Sequence, residues 1–199
     1  VIMDLKRVTY TYDIIPSAFG EIGLVRRADG GRSKICRILL PEAGDPMTGK
    51  IRDLFPDAVP GRGKQDEICK QIRDFLTGDA VDFRLENLDF GSLKGFARRV
   101  LLADGEIPRG RVMTYGGLAA SVGVAGGARA VGNVMAGNPF PLVIPCHRVV
   151  RSGGSLGGFG GGAEMKKALL MMEGVAFDAQ GRVLPEYLHS EAAVAALPA

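Results

Sequence analysis

Apolar and polar positions alternate at the start of the chain: Val8, Tyr10, Tyr12 and Ile14 recur at every second residue, which predicts a half-buried strand. A second run, Glu21 to Arg27, passes through Ala28-Asp29-Gly30-Gly31 into Ile35 to Leu40, the pattern of a hairpin. From Leu40 to Gly63 the chain is rich in Pro and Gly and reads as irregular, with a short helix near Ile51 to Phe55. Ile68, Ile72, Phe75 and Leu76 then fall at helical spacing, and Thr77-Gly78 ends that helix. Cys69 lies within it and reads as packing material.

A boundary is expected between Val81 and Gly91. Beyond it, Leu93, Phe96, Ala97, Val100 and Leu101 give another amphipathic helix, which Ile107-Pro108-Arg109-Gly110 interrupts. Thr114 is placed to cap a helix from Tyr115 to about Val122. After a turn at Gly123 to Gly127, a second helix is expected from Ala128 to Ala136, stopped by Gly137-Asn138-Pro139. Two short helices joined by a Gly-containing turn have the form of a helix-turn-helix. Seven of the ten residues from Gly153 to Gly162 are glycine, which predicts a loop. Met165, Ala168, Leu169 and Met172 mark a last core-facing helix, and a small hairpin is expected around Asp178 to Gly181.

Composition changes this picture little. With 199 residues, 46% hydrophobic and 24% charged, and no apolar run long enough to span a bilayer, the chain reads as globular and without a membrane partner. Asp4, Lys6 and Arg7 break up the first apolar residues, unlike a secretory signal. The three cysteines, Cys36, Cys69 and Cys146, are far apart and odd in number, so a free thiol in a reducing, cytoplasmic setting is expected. His147 and His189 are the only histidines, and with no Cys-x-x-Cys spacing no metal site is expected. Charge is uneven: residues 1–94 carry 15 basic and 15 acidic side chains, whereas residues 95–174 carry nine basic against four acidic. A locally basic segment suits a polyanionic partner.

The chemistry concentrates in Ile144-Pro145-Cys146-His147-Arg148-Val149. A thiol beside an imidazole and a guanidinium is in the surroundings that lower a cysteine pKa and supply thiolate. Neighbours on an extended strand point to opposite faces, so Cys146 and His147 would communicate through a water as readily as directly. Taken alone, the pair is equally compatible with a buried structural cysteine beside a satisfied histidine.

The residues around the pair narrow the choice. Pro145-Cys146-His147-Arg148-Val149 resembles the active-site signature of the O6-alkylguanine-DNA alkyltransferases, the methylated-DNA–protein-cysteine methyltransferases. The resemblance runs upstream through Gly110-Arg111-Val112-Met113-Thr114-Tyr115, Ala128-Arg129-Ala130-Val131-Gly132 and Gly137-Asn138-Pro139. Downstream it continues through the Gly-rich loop and Leu169 to Glu173-Gly174, covering about Phe96 to Gly174 in order and spacing. It implies stoichiometric, irreversible transfer of an alkyl group from O6-alkylguanine in double-stranded DNA, and from O4-alkylthymine, to Cys146. No cofactor is implied, and the protein would act as a monomer at the nucleoid or in the nucleus.

Residue roles follow from the same resemblance. His147 would take the thiol proton through a water and Glu173 would hold His147, the logic of a hydrolase triad. Tyr115 would donate to guanine N3 as the base leaves. Arg129 would enter the duplex in place of the extruded base, on a helix whose Ala128, Ala130 and Gly132 permit close approach in the minor groove. Base flipping is required, because a stacked O6 cannot present its alkyl carbon in line, and it costs a few kcal/mol. Arg148 is grouped with the DNA contacts, and Asn138 would brace the helix-turn-helix against the active segment. Val149, Met135, Phe159 and Gly160 would wall the base pocket. Phe159 and Gly160 depart from the Tyr and Ser common in relatives, and the chain has no Trp.

The expected class is α+β: a small N-terminal α/β domain with an antiparallel sheet over 1–88, then a mainly helical, winged-helix-like domain over 89–174. A C-terminal extension of open order would fill 175–199. Three other readings remain: a non-catalytic binder of alkylated DNA, a helix-turn-helix regulator, and a thiol hydrolase. The first lacks the cysteine, the second needs a regulatory module not visible here, and the third would turn over repeatedly.

Overall fold

The computed structural model describes residues 8–42, 44–61, 67–93 and 95–189. The chain divides into two compact units, Val1–Ser92 and Leu93–Ala199. The α+β class expected from the sequence is the class of the structure, whose strands lie mainly in the first unit and whose helices lie mainly in the second.

In the first unit, β1 (Thr9–Ser17), β2 (Gly20–Asp29) and β3 (Arg32–Leu39) form an antiparallel meander. The β2–β3 connection is the two-residue turn Gly30-Gly31, with φ of 57° and 87°, a conformation that glycine supplies without strain. The sheet is not wholly antiparallel, because β4 (Val59–Pro60) adds to β1 in parallel, giving the order β3-β2-β1-β4. Nor is β1 half-solvated. Tyr10, Tyr12 and Ile14 pack toward Val25, Met47 and Ile51 of one face, while Asp13 and Ile15 are buried on the other.

The helices explain this double burial. α1 (Met47–Leu54) starts earlier than the apolar residues alone suggested and sets Met47 and Ile51 against the sheet. α2 (Glu67–Leu76) buries Ile68, Cys69, Ile72, Phe75 and Leu76, each large apolar side chain contributing about 1.5–3 kcal/mol. Between the sheet and α2, Arg26 pairs with Asp13 and reaches the Cys69 sulfur at 3.6 Å. The segment 85–92, which spans the boundary expected from the sequence, pairs with β3 through Ile35 and Leu88 and belongs to this unit.

The second unit builds on α3 (Gly95–Gly105), α4 (Tyr115–Ser121), α5 (Ala128–Ala136) and α6 (Gly162–Met172). The Thr114 side chain accepts a hydrogen bond from Gly117 N at 2.9 Å and caps α4, an interaction worth about 1 kcal/mol. α3, α4 and α5 pack together, and α4 connects to α5 through a turn with Gly123 and Gly126 at positive φ. A two-stranded parallel pair, β5 (Met113–Thr114) with β6 (Val149–Val150), ties the start of α4 to the segment after Cys146. Residues 175–189 are an integral part of this unit. Val175 and Val183 join Val112, Val150 and Leu170 in one core cluster, and Val112 N donates to Tyr187 O at 2.9 Å. The hairpin around Asp178 to Gly181 forms, closed by Phe177 against Val183. The Ala-rich end, 190–199, lies outside the described residues.

Candidate active site

The site begins where α5 ends. Asn138 donates from Nδ2 to Ile144 O at 3.0 Å and accepts at Oδ1 from Phe140 N at 2.9 Å, folding the chain back on itself. Leu142, in the bend between them, is the only described non-glycine residue with positive φ, at 74°, a conformation that costs about 1–3 kcal/mol. The wholly buried Phe140 anchors this loop. The loop then delivers Cys146 at the start of a 3-10 turn, Cys146–Arg148, rather than on the extended strand expected from the sequence.

In that turn Cys146 is 7% exposed and His147 wholly buried. His147 Nε2 donates to Glu173 Oε1 at 2.9 Å, which in a neutral ring puts the lone pair on Nδ1. Glu173, just past α6, also accepts from Arg148, whose Nη2 donates to Oε1 at 2.8 Å and whose Nε donates to Oε2 at 3.0 Å and to Oε1 at 3.2 Å. Gly110 N donates to its Oε2 at 3.3 Å. Gly110 has φ of 73°, and a Cβ there would stand 2.9 Å from Glu173 O, so glycine is needed for that approach. Burial opposes ionisation of Glu173, but the bonds from His147 and Arg148 outweigh it and hold the carboxyl down at about 2. Burial also pushes His147 below its ordinary value, so the ring is neutral.

The thiol does not have the low pKa that its sequence neighbours suggested. Burial pushes Cys146 up to about 12, and Asp104 adds to it, while a hydrogen bond from Asn138 and the charge of Lys166 pull the other way. The reason is geometric: the Arg148 guanidinium is occupied by Glu173 and by Ile107 O at 2.6 Å, and His147 carries no charge. Arg148, grouped with the DNA contacts on sequence grounds, is turned inward.

Cys146 opens into a cleft of about 940 Å³. Tyr115, at the first turn of α4, and Arg129, Gly132 and Met135, on α5, line it together with Phe159 and Gly160 of the glycine-rich loop. Ala128 also lines it, whereas Ala130 is exposed elsewhere on α5. Val149, expected in the wall, is fully buried behind the turn in β6. The Phe159 ring meets His147 edge-on, with centroids 6.3 Å apart. Gly157 has φ of 72°, and a Cβ there would sit 2.9 Å from Tyr115 Oη, so the loop closes over the tyrosine only with glycine. Burial raises the Tyr115 pKa and the Cys146 charge adds to it, keeping the phenol a proton donor.

Three participants escaped the sequence reading. Lys166, wholly buried on α6, donates to Val149 O at 2.6 Å and Gly158 O at 3.3 Å, joining the cysteine turn to the loop. Its signal was a lysine four residues before Leu170 on the apolar stripe Met165, Leu169, Leu170. Arg151 lines the cleft, and Asp104 is wholly buried on α3. Among the described residues no group of three or more His, Cys, Asp or Glu side chains could hold a metal ion. None of their helices is long and apolar enough to cross a membrane.

Residues 95–175 match a protein-family model described as 6-O-methylguanine DNA methyltransferase, DNA binding domain. A methylated-DNA–protein-cysteine methyltransferase of Methanothermobacter thermautotrophicus is 49% identical over 114 residues, covering 57% of this chain and 64% of the relative. One from Mycolicibacterium paratuberculosis is 40% identical over 143 residues, covering 68% of this chain and 86% of the relative. A crystal structure of Mycobacterium tuberculosis OGT in complex with DNA superposes with a TM-score of 0.66 at 32% identity, covering 82% of this chain and 93% of that one.

Proposed function

Because this chain belongs to the methylated-DNA–protein-cysteine methyltransferase family, the O6-alkylguanine-DNA alkyltransferases, we propose that it repairs DNA directly by moving an alkyl group from O6 of guanine to Cys146. The observation that carries this reading is a cysteine that lines an open cleft and is followed by a neutral, buried His147 held by Glu173.

His147 Nδ1 takes the thiol proton, directly or through one water, and Glu173 stabilises the imidazolium that forms. Sulfur attacks the alkyl carbon in line, the S–C bond forms as the C–O6 bond breaks, and the electron pair passes to the guanine. Tyr115 donates a proton to the departing base. Burial pushes the thiol well above its ordinary range, so it rests protonated and His147 removes the proton in the transfer step. The product is a thioether, which has no carbonyl for water to attack, so nothing regenerates the thiol. Lys166 supplies a buried positive charge that favours the developing thiolate, and its two carbonyl bonds join the pocket loop to the turn.

DNA is the partner on this reading, with α4 and α5 acting as a helix-turn-helix and α5 laid in the minor groove. Arg129 is exposed at the rim of the cleft that contains Cys146, where a side chain replacing an extruded base belongs. Asn138 keeps the end of α5 and the cysteine turn in one piece. The protein acts as a monomer in the cytoplasm, at the nucleoid, where a free thiol survives. O4-alkylthymine is a second substrate.

The test is stoichiometry. Excess oligonucleotide bearing O6-methylguanine should lose one methyl group per protein molecule and then no more. Continued turnover would point to a hydrolase, and no transfer at all to a binding protein.

A further inference from the structure

Two charged side chains line the cleft that holds Cys146, Arg129 on α5 and Arg151 just after β6, and no carboxylate does. Both arginines are exposed, and neither guanidinium has a hydrogen bond or ion pair among the described residues. Arg148 and Lys166, by contrast, are engaged by Glu173 and by backbone carbonyls. The Arg151 backbone is held on both sides: its N–H donates to Ser155 O at 2.8 Å, and its carbonyl accepts from Gly154 N at 3.1 Å. Its stem runs beside Gly157, where a Cβ would stand 3.5 Å from Arg151 Cγ and 2.9 Å from Tyr115 Oη. A cation on a fixed backbone therefore lies next to Tyr115 in the cleft.

We propose that Arg151 is the phosphate anchor of the transfer site, binding a backbone phosphate next to the extruded guanine. This rests on the alkyltransferase reading, which supplies DNA as the partner. A nucleotide leaves the stack by turning about its own backbone, so its base enters the cleft while its flanking phosphates stay at the rim. A guanidinium meets two phosphate oxygens with parallel N–H donors, which makes arginine the side chain suited to that group. On the same reading Arg129 fills the gap in the duplex, which leaves Arg151 as the cleft's cation for the phosphate. With no carboxylate in the lining, nothing in the cleft repels the phosphate or competes for Arg151. The sequence grouped Arg148 with the DNA contacts, but Glu173 and Ile107 O turn that side chain inward. Three residues later, Arg151 is the arginine of this segment that lines the cleft.

The experiment measures binding by fluorescence anisotropy in the Cys146→Ser chain, so that no transfer disturbs the equilibrium. The probe is a duplex with one O6-methylguanine, whose neighbouring phosphates are replaced one at a time by uncharged methylphosphonate. With Arg151 present, replacement at one position should weaken binding several-fold more than at the others. In Arg151→Gln that position should lose its extra effect, and the slope of log Kd against log salt should fall by about 0.9. Arg151→Lys keeps the charge and should keep the sensitivity to that position, a rescue that a packing role would not give. Arg98→Gln, at an exposed arginine of α3 outside the cleft, should leave the effect of that position intact. Methylphosphonate effects that are the same with Arg151 and with Arg151→Gln at every position would overturn the proposal, as would their equal loss in Arg98→Gln. A wild-type chain that transfers no methyl group, with the coupling to one phosphate still present, would instead overturn the repair reading and leave the phosphate contact standing.

Discussion

Replacing Glu173 by Gln removes the carboxylate on which His147, Arg148 and Gly110 converge while keeping the shape of the side chain. In the folded protein that carboxyl is held at about 2 against an ordinary 4.5. At about 1.36 kcal/mol per unit, the difference stabilises the native state by about 3 kcal/mol at neutral pH. A second route gives a similar figure: removing one partner of a buried pair costs about 3–5 kcal/mol, and the Arg148 side chain is only 13% exposed. The sign is set by the depressed value. The stability is fully present above about 4.5 and is lost as pH falls toward about 2. At pH 3 less than about half of it remains. Urea unfolding of wild type and Glu173→Gln at pH 7 and pH 3 measures this. The expected gap is about 3 kcal/mol at pH 7, shrinking to less than about half of that at pH 3. Equal gaps at the two pH values, or a gap below about 1 kcal/mol at pH 7, would refute the claim that ionised Glu173 holds the turn together.

Two further variants test other parts of the site. Arg129→Ala should slow repair in duplex DNA at least about tenfold, roughly 1.4 kcal/mol of barrier, while reaction with free O6-benzylguanine stays near wild type. Equal losses on both substrates would remove Arg129 from base extrusion. Lys166→Met keeps an unbranched side chain but leaves Val149 O and Gly158 O without their donor, so stability should fall by about 1–3 kcal/mol. Transfer should fall at least about tenfold with duplex affinity, read by fluorescence anisotropy, unchanged; unaltered transfer would deny the lysine any part in the chemistry.

Much of this site could be read from the sequence because its pieces are local. The Thr114 cap, the glycine turn before β3 and the stop after Ala136 each depend on a few adjacent residues, and each stands where the pattern put it. What escaped the sequence depends on contacts between distant segments. β4 is two residues long and includes Pro60, too little for a period-two signal, and it pairs in parallel with β1 across the length of α1. Residues 175–189 show no helical or strand-length periodic run and read as an extension of open order, yet Val175, Val183 and Tyr187 complete the core beside Val112 and Val150. Arg148 and Cys146 show the same limit in chemistry. Sequence adjacency suggested a guanidinium beside a thiol, but the turn aims one at Glu173 and sinks the other into the core, so burial and not neighbouring charge governs the sulfur. Asp104 and Lys166 are ordinary charges in composition. Only their places on the apolar stripes of α3 and α6 mark them out.

The decisive measurement is the mass of the intact protein after exposure to an oligonucleotide carrying O6-methylguanine, followed by peptide mapping. The account predicts a gain of about 14 Da, one methyl for one hydrogen, located on the sulfur of Cys146 and absent from Cys146→Ser. An unchanged mass, or a methyl group on Cys36, Cys69 or any other residue, would contradict it.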